Sequence, residues 1–479
     1  MSSSAQKDTA VTETNVPSEI QSLPEDTIKE TSYFTSIRRY IWDDPAKSSK
    51  EKWFLFKLDI FLLSISCLGY FSKNLDQANV ANAYVSGMSD ALKMKGSELT
   101  YAGNVFTAGY VLGQLPAVIL VTRIRPSILI PTMEVLWSIF TFCSASVKTT
   151  SQLYAIRFLI ALCEGTYFPT VVYIIGSWYT KSERGKRMTI FYATASFAGM
   201  FSGYLQAGAY KGLNGVLGHA GWQWLFIVCG IISLPIAITG YFFYPDFPET
   251  TRAFYITKEE AEFARRRLIA DGMKPLGASA WDRTKIFRIM KQWQFWVLPV
   301  GYFLVQGSYP IYQPVFALWL KSTHHSIYQV NVWPTGQYAV GVVVQLLAGV
   351  ISDSPLLRGR RWQTLIAMQI PTIFACIVLA VWDVPIGLKY AAYYLTFTAA
   401  GVPGIYYACY IQSIWWTLTV WRTVLAPRFH AAFIGASCLG VTLCVLAVVL
   451  RLLEKHDIKK RALVDEGTGD EETARTGAR

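Results

Sequence analysis

Charge is scarce in this sequence. Asp, Glu, Lys and Arg make up 16% of its 479 residues, against ~25% in an average soluble domain. That deficit, beside a hydrophobic content of 52%, excludes both an ordinary soluble globule and a disordered chain. Histidine is equally thin, with 5 residues, at 219, 324, 325, 430 and 456. No HExxH or GxSxG context occurs, so a multispanning enzyme has no support. No GxxxxGK[ST] run occurs either, which removes ATP-driven pumping. The 8 cysteines, at 67, 143, 163, 229, 376, 409, 438 and 444, lie in apolar blocks without CxxC spacing. They are expected to be free, buried thiols, and neither a metal nor a cofactor is expected. Residues 1–51 are polar, carry no signal peptide, and read as a disordered cytoplasmic tail.

What the chain has in quantity is apolar sequence in blocks of ~20 residues, the length that crosses a bilayer as a helix. The blocks are continuous rather than alternating, so the expectation is an all-α membrane protein and not a barrel. Candidate spans are 54–79, 100–121, 127–147, 152–178, 188–210 and 222–243, then 293–319, 333–352, 362–382, 388–410 and 430–452. This divides the chain into an N-terminal six-helix half (52–243), a cytoplasmic linker (244–292), a C-terminal half (293–452) and a cytoplasmic tail (453–479). The linker contains "FYITKEEAEFARRRLIADG". There Thr257 and Glu260 form a capping-box pattern and Gly272 can end a short amphipathic helix. The net charge of +12 comes from basic loops, including Arg123, Arg125, Lys186, Arg187 and Arg265 to Arg267. These mark the cytoplasmic side rather than a nucleic-acid surface.

Polar side chains inside an apolar span are costly and so point to function. The end of the first span carries Lys73, Asn74, Asp76 and Gln77. The fourth span, expected to run inward, carries Arg157 and Glu164, seven residues apart and therefore on one helix face, ~10 Å apart along the axis. Arg157 is thus expected at the depth of Asp76, as its ion-pair partner. Glu164 is expected near mid-membrane, in surroundings suited to reversible protonation. In the seventh span, Gln306, Tyr309, Tyr312 and Gln313 sit around Pro310 and Pro314, where loosened helix can line a cavity. Between the eighth and ninth spans, "GVISDSPLLRGRRW" offers Gly349, Asp353, Arg360 and Arg361 in a G-x-x-x-D…G-R-R pattern. Its counterpart, "LVTRIRPS" at 120–127, lacks the Gly and the Asp.

That loop is similar to the signature of the major facilitator superfamily. Further blocks carry the same resemblance: "NLDQANVANAYVSGM" (74–88), "RFLIALCEGTYFP" (157–169), "GSWYTKSERGKR" (176–187) and "GWQWLFIVCGIISLPIAITGYFFYPDFPETT" (221–251). The chain resembles fungal members of the allantoate permease, or anion:cation symporter, family, and most of all its pantothenate transporters. The resemblance implies a two-half bundle of nominally twelve spans. It implies a proton-coupled symporter in the plasma membrane, monomeric, importing a small organic carboxylate. Pantothenate is the first candidate; biotin, nicotinate and allantoate are alternatives, as is a sensor that binds such a nutrient without transport. It assigns Asp76, Glu164 and Arg157 to proton coupling. Lys73, Asn74, Gln77, Gln306, Tyr309 and Gln313 are assigned to substrate. Two departures stand out. Where relatives often carry Arg after the first acid, this chain has Gln77, which leaves Lys73 to supply the cation. Much of an eleventh span is also missing between Cys409 and Ile414.

Overall fold

The computed structural model describes residues 47–271, 314–352, 361–401 and 432–450, with scattered positions at 287–308, 428, 430, 452 and 453. The described residues are 85% helical, with no strand among them. In chain order the helices are α1 (Ser49–Ala91), α2 (Glu98–Arg123), α3 (Pro126–Ser144), α4 (Thr150–Trp178), α5 (Lys181–Leu213) and α6 (Gly221–Phe243). There follow α7 (Lys258–Ala270), α8 (Val315–Ser322), α9 (Ile327–Val332), α10 (Thr335–Ser352), α11 (Arg361–Val381), α12 (Ile386–Leu395) and α13 (Ala432–Leu450). Seven of these are long and apolar enough to cross a membrane.

Helix starts follow local chemistry. Thr149 caps α4 by accepting from Gln152 N. Thr180 and Glu183 form a capping box on α5, and Thr257 and Glu260 form the expected one on α7. Pro126 opens α3, where its missing N–H costs nothing. The Asp that "LVTRIRPS" lacks is supplied from the chain just beyond α6. Asp246 accepts from Ser127 N and Ser127 Oγ at 3.2 and 2.7 Å, an anion at the positive end of α3.

α5 is a 33-residue helix but is not among the seven apolar spans. Its polar residues Ser196, Ser202 and Gln206 are buried, so a low hydropathy here reflects an inward polar face. The expected tenth span is interrupted early: α12 gives way at Thr396–Gly401 to a 3-10 turn. Threonine hydroxyls replace part of the helical ladder there. Thr396 Oγ1 donates to Tyr393 O at 2.6 Å, and Ala399 N donates to Thr372 Oγ1 at 3.0 Å.

Close packing in the first six helices rests on a GxxxG pair, Gly109 and Gly113, in α2. A Cβ on Gly113 would stand 2.3 Å from Leu162 O of α4, and one on Gly165 of α4 would stand 2.4 Å from Tyr110 O. Only glycine lets these backbones touch. The later helices meet the first six along α5 and α10, where Ser196 Oγ donates to Gln345 Oε1 at 3.3 Å. They also meet at the end of α1, where Asn331 Nδ2 donates to Ser86 Oγ at 2.9 Å.

At the basic end, α7 is clamped rather than loosely tethered. Arg267 bonds Glu183 at 2.9 Å and Glu51 at 3.0 Å, and Lys57 bonds Glu260 at 2.8 Å. Lys47 completes the set on Glu183. Arg187 holds Asp59 through two nitrogens, at 2.6 and 2.7 Å. The described cysteines are free, as expected, but Cys143 and Cys438 are exposed on the bundle surface rather than buried. Cys409, and the stretch where the eleventh span is shortened, lie outside the described residues.

Candidate functional site

The polar stretch of the first span lies inside a helix, not at its exit. α1 runs helically from Ser49 through Asp76 to Val85, kinks at Ser86 and Gly87, where both residues leave helical φ/ψ (Gly87 φ 113°), and ends at Ala91. At 1.5 Å per residue the stretch before the kink is ~55 Å, beyond a bilayer's thickness. Two π turns, Asp59–Leu63 and Tyr84–Met88, bracket the polar segment.

Lys73 and Asp76 are each only 2% exposed, Arg157 is 5% exposed and Glu164 is fully buried. α1 and α4 bring them together. Gln77 Nε2 donates to Glu164 Oε2 at 2.9 Å, which ties α1 to α4 directly. The Lys73 ammonium lies between two aromatic faces, 4.7 Å from the Tyr110 centroid and 5.5 Å from Tyr70, within electrostatic range of Glu164. Asp76 accepts from Thr141 Oγ1 of α3 at 2.9 Å. The expected Asp76–Arg157 ion pair is not closed. The guanidinium instead stacks 4.3 Å over the Phe106 ring of α2 while sensing both carboxylates at longer range.

Each ionisable member except Lys73 has an unsatisfied atom: Asp76 Oδ1, Glu164 Oε1 and Arg157 Nε make no hydrogen bond. Buried polar atoms are normally paired, so three orphans in one cluster mark unmet binding capacity. Two acids and two bases, all ionised, sum to zero charge. Adding a proton to either acid leaves a net positive cluster, and that favours an anion.

Asn74 spends its amide on its own helix, donating to Tyr70 O at 2.7 Å. Further along α1, Asn82 donates to Ser202 Oγ, Ser202 to Asn79 Oδ1, and Asn79 to Cys229 Sγ, at 2.7, 2.8 and 2.8 Å. This ladder fixes the rotation of α1 against α5 and α6. Gly349 falls in the last turn of α10 and Arg361 opens α11. Gln306, Tyr309, Gln313, Asp353 and Arg360 lie outside the described residues.

Sequence reasoning missed three contributors. Tyr110 and Phe106 read as ordinary apolar positions, and only the α2–α4 approach at Gly113 and Gly165 turns them into cation seats. Glu134, a lone acid within the apolar α3, is 1% exposed; its isolation in "PTMEVLW" was the available signal. Among the described residues no group of His, Cys, Asp and Glu is arranged to hold a metal.

Comparison with known proteins agrees with this architecture. Residues 66–420 match the Major Facilitator Superfamily model. The chain is 34% identical over 442 residues to the pantothenate transporter liz1 of Schizosaccharomyces pombe, covering 87% of this chain and 85% of that one. It is 39% identical over 370 residues to the MFS transporter PfmaC of Pestalotiopsis fici, covering 76% and 68%. Among solved structures, a D-xylose-proton symporter superposes with a TM-score of 0.57 at 14% identity, covering 82% of this chain and 97% of that one. The protein is a multi-pass membrane transporter and not an enzyme, and it belongs to the major facilitator superfamily.

Proposed function

We propose that the protein is a proton-coupled symporter that imports a small organic carboxylate, pantothenate first, as a monomer in the plasma membrane. The observation that carries this reading is the Gln77–Glu164 hydrogen bond beside the buried Lys73. It holds one acid with an unbonded oxygen beside a cation seated between the Tyr70 and Tyr110 rings. The similarity to a named pantothenate transporter supports the choice of substrate.

Glu164 takes up a proton, Lys73 loses its electrostatic partner, and the cluster becomes net positive. A carboxylate then restores neutrality against Lys73, with Arg157 available as a second cation. Coupling between sites of this kind is typically worth ~1–3 kcal/mol. Gln77, held more weakly by the neutralised acid, can donate to the incoming carboxylate. Gln306, Tyr309 and Gln313 remain the proposed partners for the amide and hydroxyls of the substrate. Opposed rocking of the two halves then exposes the cluster to the other side.

The test is uptake of labelled pantothenate in cells lacking their own uptake, with and without an imposed pH gradient. Glu164→Gln should abolish pH-driven uptake while sparing pH-independent exchange; full pH-driven uptake in that variant would sink the proton role. Competition by biotin, nicotinate and allantoate separates the substrate alternatives. Binding of pantothenate without any accumulation would leave the nutrient-sensor reading standing instead.

A further inference from the structure

Glu134 occupies the middle of α3, and neither carboxylate oxygen has a hydrogen-bond partner. It sits against α1 at Gly69. A Cβ added there would meet Glu134 Oε1 at 2.1 Å and Tyr167 Oη at 2.4 Å. The acid and the phenol therefore flank one point on the α1 backbone. Tyr167 of α4 donates to Ser66 O at 2.8 Å and shares a 3.0 Å hydrogen bond with Tyr244 Oη. The titratable groups facing the acid are Tyr167 of α4 and Tyr244 beyond α6, and Cys67 of α1 faces those two phenols. No lysine or arginine of the described residues acts on Glu134.

An ionised carboxylate there would be buried with no cation, beside a Tyr167 hydroxyl whose proton is already given to Ser66 O, an arrangement proteins avoid. A neutral carboxyl, by contrast, can donate to the Tyr167 hydroxyl beside it. We propose that Glu134 is a proton-binding site in its own right, holding a proton at the α1–α3–α4 seam while α1 is packed against Gly69's neighbours. Ionisation breaks only the O–H bond, and the proton leaves to water. Water reaches the carboxylate only if α1 withdraws at Gly69, so the proton and the seat of α1 are linked. The linkage reaches the anion cluster through geometry. Gly69, Lys73 and Asp76 follow one face of α1, and Glu134, Ser138 and Thr141 follow one face of α3, with Thr141 bonded to Asp76. This site does not depend on proton-coupled uptake, and its test reads protonation directly.

The experiment is infrared difference spectroscopy of the purified full chain at neutral pH. Glu134→Gln should remove one protonated-carboxyl C=O band, and Glu164→Gln should leave that band in place. Tyr167→Phe, which keeps the ring and deletes the acceptor, should shift the same band without removing it. If Glu134→Gln fails to fold, Glu134→Asp should move the band instead. Loss of a carboxylate band in Glu134→Gln, or no loss of a protonated band, overturns the proposal. A transport defect in Glu164→Gln with the Glu134 band intact separates this site from the proposed coupling acid.

Discussion

The clamp at the basic end gives the most quantitative test of how the first six helices are held. Arg267 of α7 presents two nitrogens to the two oxygens of Glu183, at 2.9 and 3.2 Å, and a further bond of 3.0 Å to Glu51. The Glu183 side chain is 2% exposed and that of Arg267 11%. Breaking a buried pair by removing one partner costs about 3–5 kcal/mol. Here Lys47 and the Thr180 amide still hold Glu183, while Arg267→Met also gives up the guanidinium's seat over the Phe54 ring. The expected loss is therefore about 2–3 kcal/mol, below the full penalty because charge-assisted bonds remain. Purified protein unfolded by increasing SDS in mixed micelles reads this directly. With Glu183→Gln as the second arm of a double-mutant cycle, the two losses should fall short of additive by about 1–2 kcal/mol. Strict additivity would refute the pairing as an energetic unit. The pair also carries a pH signature. Burial pushes the Glu183 carboxyl up, but Arg267 and Lys47 outweigh it and hold the group below its ordinary value of 4.5. A carboxyl lowered in the folded state stabilises fully above its unfolded value. That contribution is lost as pH falls through the folded one. The wild-type advantage over Glu183→Gln should thus be constant near neutrality and shrink below about pH 4.5. An advantage that persists unchanged in stronger acid would refute the linkage.

Three further outcomes bear on the anion cluster. Lys73→Ala should weaken pantothenate binding about tenfold or more, the order of one lost charge contact; unchanged affinity at all salt concentrations would remove Lys73 from the site. Asp76→Asn and Arg157→Ala should each reduce uptake severely, because either leaves an uncompensated buried charge, and a near-wild-type rate in either variant would show that the two charges are not balanced against each other. Gln77→Arg should tighten anion binding while flattening its pH dependence, measured as the dissociation constant across pH 5–8; a steeper pH dependence would contradict the charge balance.

Helix identity was legible in the sequence because membrane spans advertise themselves by length and apolarity. α4 and α6 match the expected spans closely for that reason. α1 outruns its expected span, since the polar residues that suggest an exit face protein rather than water and the helix carries on to its kink at Ser86 and Gly87. α5 and α12 show the opposite limit. Their buried Ser, Thr and Gln residues lower the hydropathy of one and break the ladder of the other, and both effects depend on neighbours that a one-dimensional reading does not contain. In the site, the α1–α4 encounter was readable from the spacing of Arg157 and Glu164. The partners were not. Arg157 was expected on Asp76 and lies on Phe106, and Asp76 was expected on Arg157 and is held by Thr141. Both replacements come from α2 and α3, whose positions are set by the glycine seam and by Asp246 capping α3.

Gln77 is the point where these threads meet. With an Arg at that position, the cluster would hold three cations and two acids, and an anion would be attracted whether or not a proton had arrived. With Gln77 the ionised cluster is neutral, and its only gain in positive charge comes from protonating an acid. Gln77 also spends one of its two amide N–H groups on Glu164, so the carboxylate form of that acid competes with any substrate for that donor. Neutralising Glu164 weakens that bond, exposes the Lys73 charge and frees the Gln77 donor at once. The substitution that removes an expected cation therefore makes anion binding more dependent on the proton, not less.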